Sequence, residues 1–271
     1  MTFDGPLVSA DWLASNLQNV RLVDVRWYLD GRSGRAAYRS GHLPGAVWLD
    51  VDVELAGWAS PAAGRHPLPS PAQFAAVLGR VGIAAGTPVV AYDDAGGSEA
   101  ARLWWMLHVL GEPAAVLDGG MQAWTGSLET QVPDVVPVER PVLPWPAQRF
   151  VSADEVAVTG AAVYDARSAQ RYAHGDPAID PRPGHIPGAQ SAPWAANLDG
   201  DGRLLAPARL REIYADALDR GGVAYCGSGV TACLDLLAME VAGVETTALY
   251  AGSWSQWAAE PSRPAEEGLA P

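Results

Sequence analysis

A plan of short blocks occurs twice in this chain, in the same order, and that repetition restricts the fold more than any other feature. Leu22-Val23-Asp24-Val25-Arg26 returns as Val163-Tyr164-Asp165-Ala166-Arg167. Gly41-His42-Leu43-Pro44-Gly45-Ala46 returns as Gly184-His185-Ile186-Pro187-Gly188-Ala189. Val90-Ala91-Tyr92 returns as Val223-Ala224-Tyr225, and Leu117 to Trp124 returns as Tyr250 to Trp257. Four matched blocks in one order predict two homologous domains. In each, short apolar runs read as buried strands and alternate with segments of helical spacing. That pattern predicts an α/β fold, a mainly parallel sheet flanked by helices. Helix starts are legible at Ser9, a good N-cap, at Pro71, suited to a first turn, and at the capping box Ser152-Ala153-Asp154-Glu155. Further helices are predicted at Ser98 to Leu110 and, as a short one, at Met121 to Trp124. A proline-rich, aperiodic stretch over 131–149 reads as a semi-rigid linker. The predicted domains are therefore 1–130 and 150–271.

Charge and cysteine content narrow the function. The 271 residues carry 31 acidic and 18 basic side chains, a net charge of −13, which argues against general nucleic-acid binding. A local basic pocket for a small anion remains compatible with that balance. Two cysteines seven positions apart give no disulfide framework. The N-terminus lacks a basic stretch followed by an apolar run, and no apolar stretch reaches the roughly 20 residues of a membrane helix. These features predict a cytoplasmic protein with no nucleic-acid or membrane partner.

The repeat fails at one informative place. Tyr225 is followed by Cys226, whereas Tyr92 is followed by Asp93. The stretch from Val223 to Cys233 reads as strand, tight loop and helix start, with Gly227 and Gly229 supplying backbone freedom in the loop. Val230, Leu234, Leu237 and Val241 have helical spacing and predict a helix with one apolar face. A thiol at a strand end and helix N-terminus loses its proton more easily, and the thiolate is the nucleophile. Only the second domain is predicted to be catalytic. Other eye-catching residues have plainer readings. Cys233 falls within the helix as a core residue. His42 and His185 repeat at equivalent turns, and Asp24 with Arg26 repeats as Asp165 with Arg167, so both sets read as structural. The eleven tryptophans read as core.

With these residues in hand, the chain resembles the tandem-domain sulfurtransferases of the rhodanese superfamily. The resemblance rests on the two Asp-x-Arg blocks, the two Gly-His-x-Pro-Gly-Ala turns, Ala101-Arg102-Leu103-Trp104-Trp105, Asp118-Gly119-Gly120 and the Cys226 loop. It implies that Cys226 takes up sulfur as a persulfide and passes it to a thiol, thioredoxin or cyanide acceptor, without a metal or organic cofactor. Cys226-Gly227-Ser228-Gly229-Val230-Thr231 is similar to the branch that uses 3-mercaptopyruvate, a small anionic sulfur donor. In that branch Gly227, Gly229, Val230 and Thr231 belong to the substrate loop, and Arg171 and Arg182 align with carboxylate-binding arginines. Guanidinium forks suit a carboxylate. The resemblance also implies a Ser228, His66 and Asp52 relay, with Asp52 (Asp50 a rival) and His66 supplied by the first domain.

Three alternatives compete. Thiosulfate:cyanide sulfurtransferases carry basic residues directly after the cysteine, where this chain has Gly227 and Ser228. Cysteine-dependent phosphatases and arsenate reductases place an arginine six positions after the cysteine, and here that position is Ala232. A non-catalytic rhodanese-like binding module would not need an intact Cys226 loop.

Overall fold

The computed structural model describes residues 3–268. Its first sheet has five strands, β1 (Leu7–Val8), β2 (Arg21–Asp24), β3 (Val47–Trp48), β4 (Val89–Tyr92) and β5 (Ala114–Leu117). Their order is β1-β5-β4-β2-β3, and every pairing is parallel. The second sheet has four strands, β6 (Ala162–Asp165), β7 (Gln190–Ser191), β8 (Gly222–Tyr225) and β9 (Thr247–Leu249), in the order β7-β6-β8-β9 and again all parallel. The two sheets share one topology, as the repeated blocks require. The additional edge strand β1 has a minimal counterpart in the second sheet, a single parallel bridge between Phe150 and Leu249. The central strands β4 and β8 are buried at every residue, which is the burial that helices on both faces of a parallel sheet impose.

The repeated polar residues tie the turns to the sheets. Arg26 pairs with Asp24 at 2.6 Å and donates to the Gly41 carbonyl at 2.7 Å. Arg167 does the same with Asp165 at 2.6 Å and the Gly184 carbonyl at 2.8 Å. The Tyr92 hydroxyl donates to Asp24 and accepts the Leu43 N–H, and the Tyr225 hydroxyl accepts the Ile186 N–H. His42 stacks on Tyr38 and His185 on Tyr172, with each Nδ1 against the carbonyl of the same tyrosine. A charge this deep persists only when paired and hydrogen-bonded. That requirement explains why the whole set recurs in both halves.

Local signals set the helix starts. Ser9 and Ser152 cap their helices, and Ser152 forms the full capping box with Glu155. Ser70 and Gln73 form a second box ahead of Pro71. Two expectations change. Met121 to Trp124 is not an α-helix; a 3-10 turn runs over Gly120–Ala123, entered through Gly119 and Gly120 at positive φ. The helix Ala232–Ala242 has no single apolar face. Every residue from Ala232 to Met239 is buried, Asp235 included, because the helix packs between the sheet and Pro207–Ile213 rather than on a surface.

The described chain forms two compact units. The first holds the chain up to Gly57, Pro69–Trp145 and Gly200–Arg203. The second holds Trp58–Leu68, Pro146–Asp199 and the chain from Leu204 onward. The segment Trp58–Leu68 therefore belongs with the second unit, although it lies well inside the first half of the sequence. It is fastened there by Gln256 Nε2 donating to the Ala62 carbonyl at 2.5 Å and by the Arg65 N–H donating to Ser255 Oγ at 3.0 Å.

Candidate active site

Cys226 follows β8 directly and is 3% exposed. Its Sγ accepts the Gly229 N–H at 3.1 Å and lies 3.5 Å from the Ser228 N–H. The turn that produces this geometry needs glycine at 229. Gly229 has φ of +80°, and a Cβ there would fall 2.5 Å from the Ala251 carbonyl oxygen. Burial pushes the Cys226 thiol up. The Thr231 hydroxyl and the N–H groups of Ser228, Ala232 and Gly229 outweigh it, and the net direction is down. Val230 and Ser228 are buried in the same loop. Cys233 is fully buried and its thiol donates to the Gly229 carbonyl, so it packs beneath the loop as a core residue.

The first unit's loop carries an anion of its own in the same place. Asp93 follows β4 and is fully buried. Its Oδ1 accepts the N–H groups of Ala95 and Gly97 at 2.9 and 2.8 Å, and its Oδ2 those of Glu99 and Ala100 at 2.9 and 2.8 Å. Burial raises the carboxyl, yet both oxygens act only as acceptors, which favours the carboxylate form. The shared loop is thus an anion-binding nest of backbone N–H groups. One copy is filled by a side-chain carboxylate, and the other presents a sulfur.

Two guanidinium groups flank Gly227. A Cβ on Gly227 would lie 2.7 Å from an Arg65 terminal nitrogen and 2.8 Å from an Arg171 terminal nitrogen. Arg171, on the short helix Ala169–His174, is held by Asp180, with Nε donating to Oδ2 at 3.0 Å and a terminal nitrogen to Oδ1. That pairing orients the fork and offsets its charge. Arg65 donates to the Ile179 carbonyl at 2.6 Å. Burial lowers its pKa, and the neighbouring Arg171 lowers it further. A cation partly stripped of water beside a second cation gains from an incoming anion. Arg182 has other partners. Its guanidinium donates to the Arg263 carbonyl at 2.7 Å and sits 5.7 Å from the centre of the Trp254 ring. The second cation at Gly227 is therefore Arg65, not Arg182. The only local signal for it was a basic residue next to His66 in an acidic chain.

His66 is buried in the second unit, on the same segment as Arg65. Asp52 belongs to the first unit, where it accepts the Trp27 Nε1–H at 2.8 Å. Asp50 accepts the Asp52 N–H at 2.9 Å, and burial pushes the Asp50 carboxyl up.

Comparison with known proteins agrees with the repeat. The rhodanese-like domain family matches the chain twice, over residues 9–127 and 152–260. The putative thiosulfate sulfurtransferase SseB of Mycobacterium tuberculosis (strain H37Rv) is 38% identical over 280 residues, spanning 97% of this chain and 98% of that protein. The probable 3-mercaptopyruvate sulfurtransferase of Pseudomonas aeruginosa PAO1 is 40% identical over 279 residues, again 97% and 98% of the two chains. The crystal structure of SseA from Escherichia coli, a 3-mercaptopyruvate sulfurtransferase, superposes with a TM-score of 0.78 at 31% identity, covering 92% of this chain and 99% of that one. With both halves matched to one domain family and near-full-length relatives that are sulfurtransferases, this chain belongs to the tandem-domain sulfurtransferases of the rhodanese superfamily.

Proposed function

We propose that the protein moves a sulfur atom from 3-mercaptopyruvate to a thiol, thioredoxin or cyanide through a persulfide on Cys226, releasing pyruvate. The observation that carries this reading is the Cys226 Sγ held by backbone N–H groups, with two guanidinium groups at Gly227. The thiolate attacks the donor sulfur. A sulfur–sulfur bond forms, the carbon–sulfur bond breaks, and its electron pair leaves on the enolate of pyruvate. The outer persulfide sulfur carries the negative charge, and the N–H groups that received the thiolate receive it next. Arg65 and Arg171 hold the donor carboxylate as a pair of forks.

The proton of the donor thiol moves to the enolate through the Ser228, His66 and Asp52 relay that the family resemblance implies. Gly227, Gly229, Val230 and Thr231 shape the loop around the donor. Transfer in two halves predicts ping-pong kinetics. Cys226→Ser is expected to abolish turnover and to leave no persulfide detectable by mass spectrometry after donor treatment. Turnover by that variant above background refutes the assignment.

Thiosulfate is the second reading. The loop has no basic residue after Cys226, but Arg65 reaches the same place from the Trp58–Leu68 segment, and two cations suit a dianion. Comparing kcat/KM for the two donors decides between them.

A further inference from the structure

Among the described residues, Ser253 is the only one other than glycine with positive φ, at 53°. The left-handed region costs energy for any residue with a Cβ, and such costs persist where a function holds them in place. The internal repeat identifies what stands there by default. Leu117 to Trp124 aligns with Tyr250 to Trp257, which sets Gly120 opposite Ser253, and Gly120 has nearly the same φ, 57°. The unit with Asp93 uses glycine at this position; the unit with Cys226 uses serine.

The serine hydroxyl does what glycine cannot. It accepts the Cys226 N–H at 3.1 Å and donates to the Tyr250 carbonyl at 3.0 Å. The next two residues continue the clamp. The Trp254 N–H donates to the Cys226 carbonyl and the Ser255 N–H to the Gly227 carbonyl, each at 3.0 Å. In the first unit the Met121 N–H donates to the Asp93 carbonyl at 2.8 Å and the Gln122 side-chain amide to the Asp94 carbonyl at 2.6 Å, so both loop carbonyls are engaged there too, and the hydroxyl on the loop N–H is what the second unit adds. Ser253, Trp254 and Ser255 thus engage one N–H and two carbonyls of the cysteine loop. The donors left facing Sγ come from Ser228, Gly229, Thr231 and Ala232.

We propose that Ser253 is a positioning residue for the nucleophile: by holding the Cys226 N–H from a left-handed backbone, it fixes the start of the loop whose first two carbonyls are held by the Trp254 and Ser255 N–H groups. The sulfur then meets donors only, an environment suited to a thiolate and to the persulfide anion that follows it. The inference rests on the reading that the Cys226 thiolate is the reacting group, but not on the identity of the donor.

The test uses Ser253→Gly, which keeps the backbone conformation accessible and removes the hydroxyl, in a Cys233→Ala background so that a single thiol reports. The readout is the pH dependence of Cys226 alkylation by iodoacetamide, which needs no sulfur donor. Its midpoint is expected to rise by about one pH unit, so that about tenfold less thiolate is present well below the midpoint. The donor KM is expected to change less than about twofold while kcat falls. The charged groups acting on Cys226 are Arg65 and Asp235, with Arg171 beside Gly227. Ser253→Gly leaves all three in place, so a shift reports the loop. Ser253→Ala removes the same hydroxyl and keeps the backbone cost, and is expected to give the same midpoint with a lower melting temperature. An unchanged midpoint in Ser253→Gly overturns the proposal, as does a KM that rises in step with the loss of rate. If the enzyme proves inactive with mercaptopyruvate, the alkylation midpoint still decides the role of Ser253 by itself.

Discussion

Replacing Arg65 with alanine separates the site as folded from the site as aligned. Arg65 and Arg171 both reach Gly227, and Asp180 accepts two hydrogen bonds from Arg171 and none from Arg65. Arg65 is therefore the cation with more charge to offer a donor carboxylate. A hydrogen bond between charged groups contributes about 1.5–3 kcal/mol, and each 1.4 kcal/mol is about tenfold in affinity. Arg65→Ala is then expected to raise the KM for 3-mercaptopyruvate by about 10- to 100-fold, with a smaller effect on kcat, because the carboxylate lies away from the bond that breaks. Arg182→Ala removes a bond to the neutral Arg263 carbonyl and packing on Trp254. Its cost is expected in stability, about 1 kcal/mol, with KM nearly unchanged. The assay is steady-state pyruvate release over a range of donor concentrations, with thermal melts of both variants. Unchanged KM in Arg65→Ala together with a large rise in Arg182→Ala refutes the assignment of the clamp.

Further expectations concern the loop and the helix beneath it. Gly229→Ala adds a Cβ 2.5 Å from the Ala251 carbonyl at φ +80°, so it is expected to cost about 1–3 kcal/mol of stability and most of the activity. A melting curve matching the wild type contradicts that geometry. Asp235 is fully buried, with Oδ1 accepting from Asn197 Nδ2 at 2.9 Å. Burial first, and the Cys226 charge next, push its carboxyl well above the usual range. A carboxyl raised in the folded state binds more protons folded than unfolded, so stability falls as pH rises above the unfolded value of about 3.9. Asp235→Asn lacks that loss, and its stability relative to the wild type is expected to grow between about pH 4 and pH 7 in denaturant titrations. A constant difference across that range counts against a neutral Asp235.

What the sequence made legible was local or repeated. Strands β2, β4, β6 and β8, the serine caps, Pro71 in a first turn and the recurring Asp-Arg pairs all follow from short-range rules, and each appears twice or at a fixed offset. The candidate nucleophile was legible for the same reason: Cys226 breaks a repeat, and the glycines around it set its loop. Arg65 left no such trace. Its N–H meets Ser255 across 190 positions of sequence, and no periodicity or composition encodes a partner that distant. Asp235 carries no sequence signal of its burial. Only its packing beside Asn197 shows that the helix has no solvent face there. Ser253 differs from its repeat partner by one hydroxymethyl group, and its left-handed backbone emerges only when the loop closes over Cys226. The sequence by itself determined the two-fold α/β plan and the loop that carries the Cys226 sulfur, because backbone propensity and burial act over a few residues at a time. The tertiary structure alone decided which cations and braces surround that sulfur, because those contacts join segments that the chain keeps far apart.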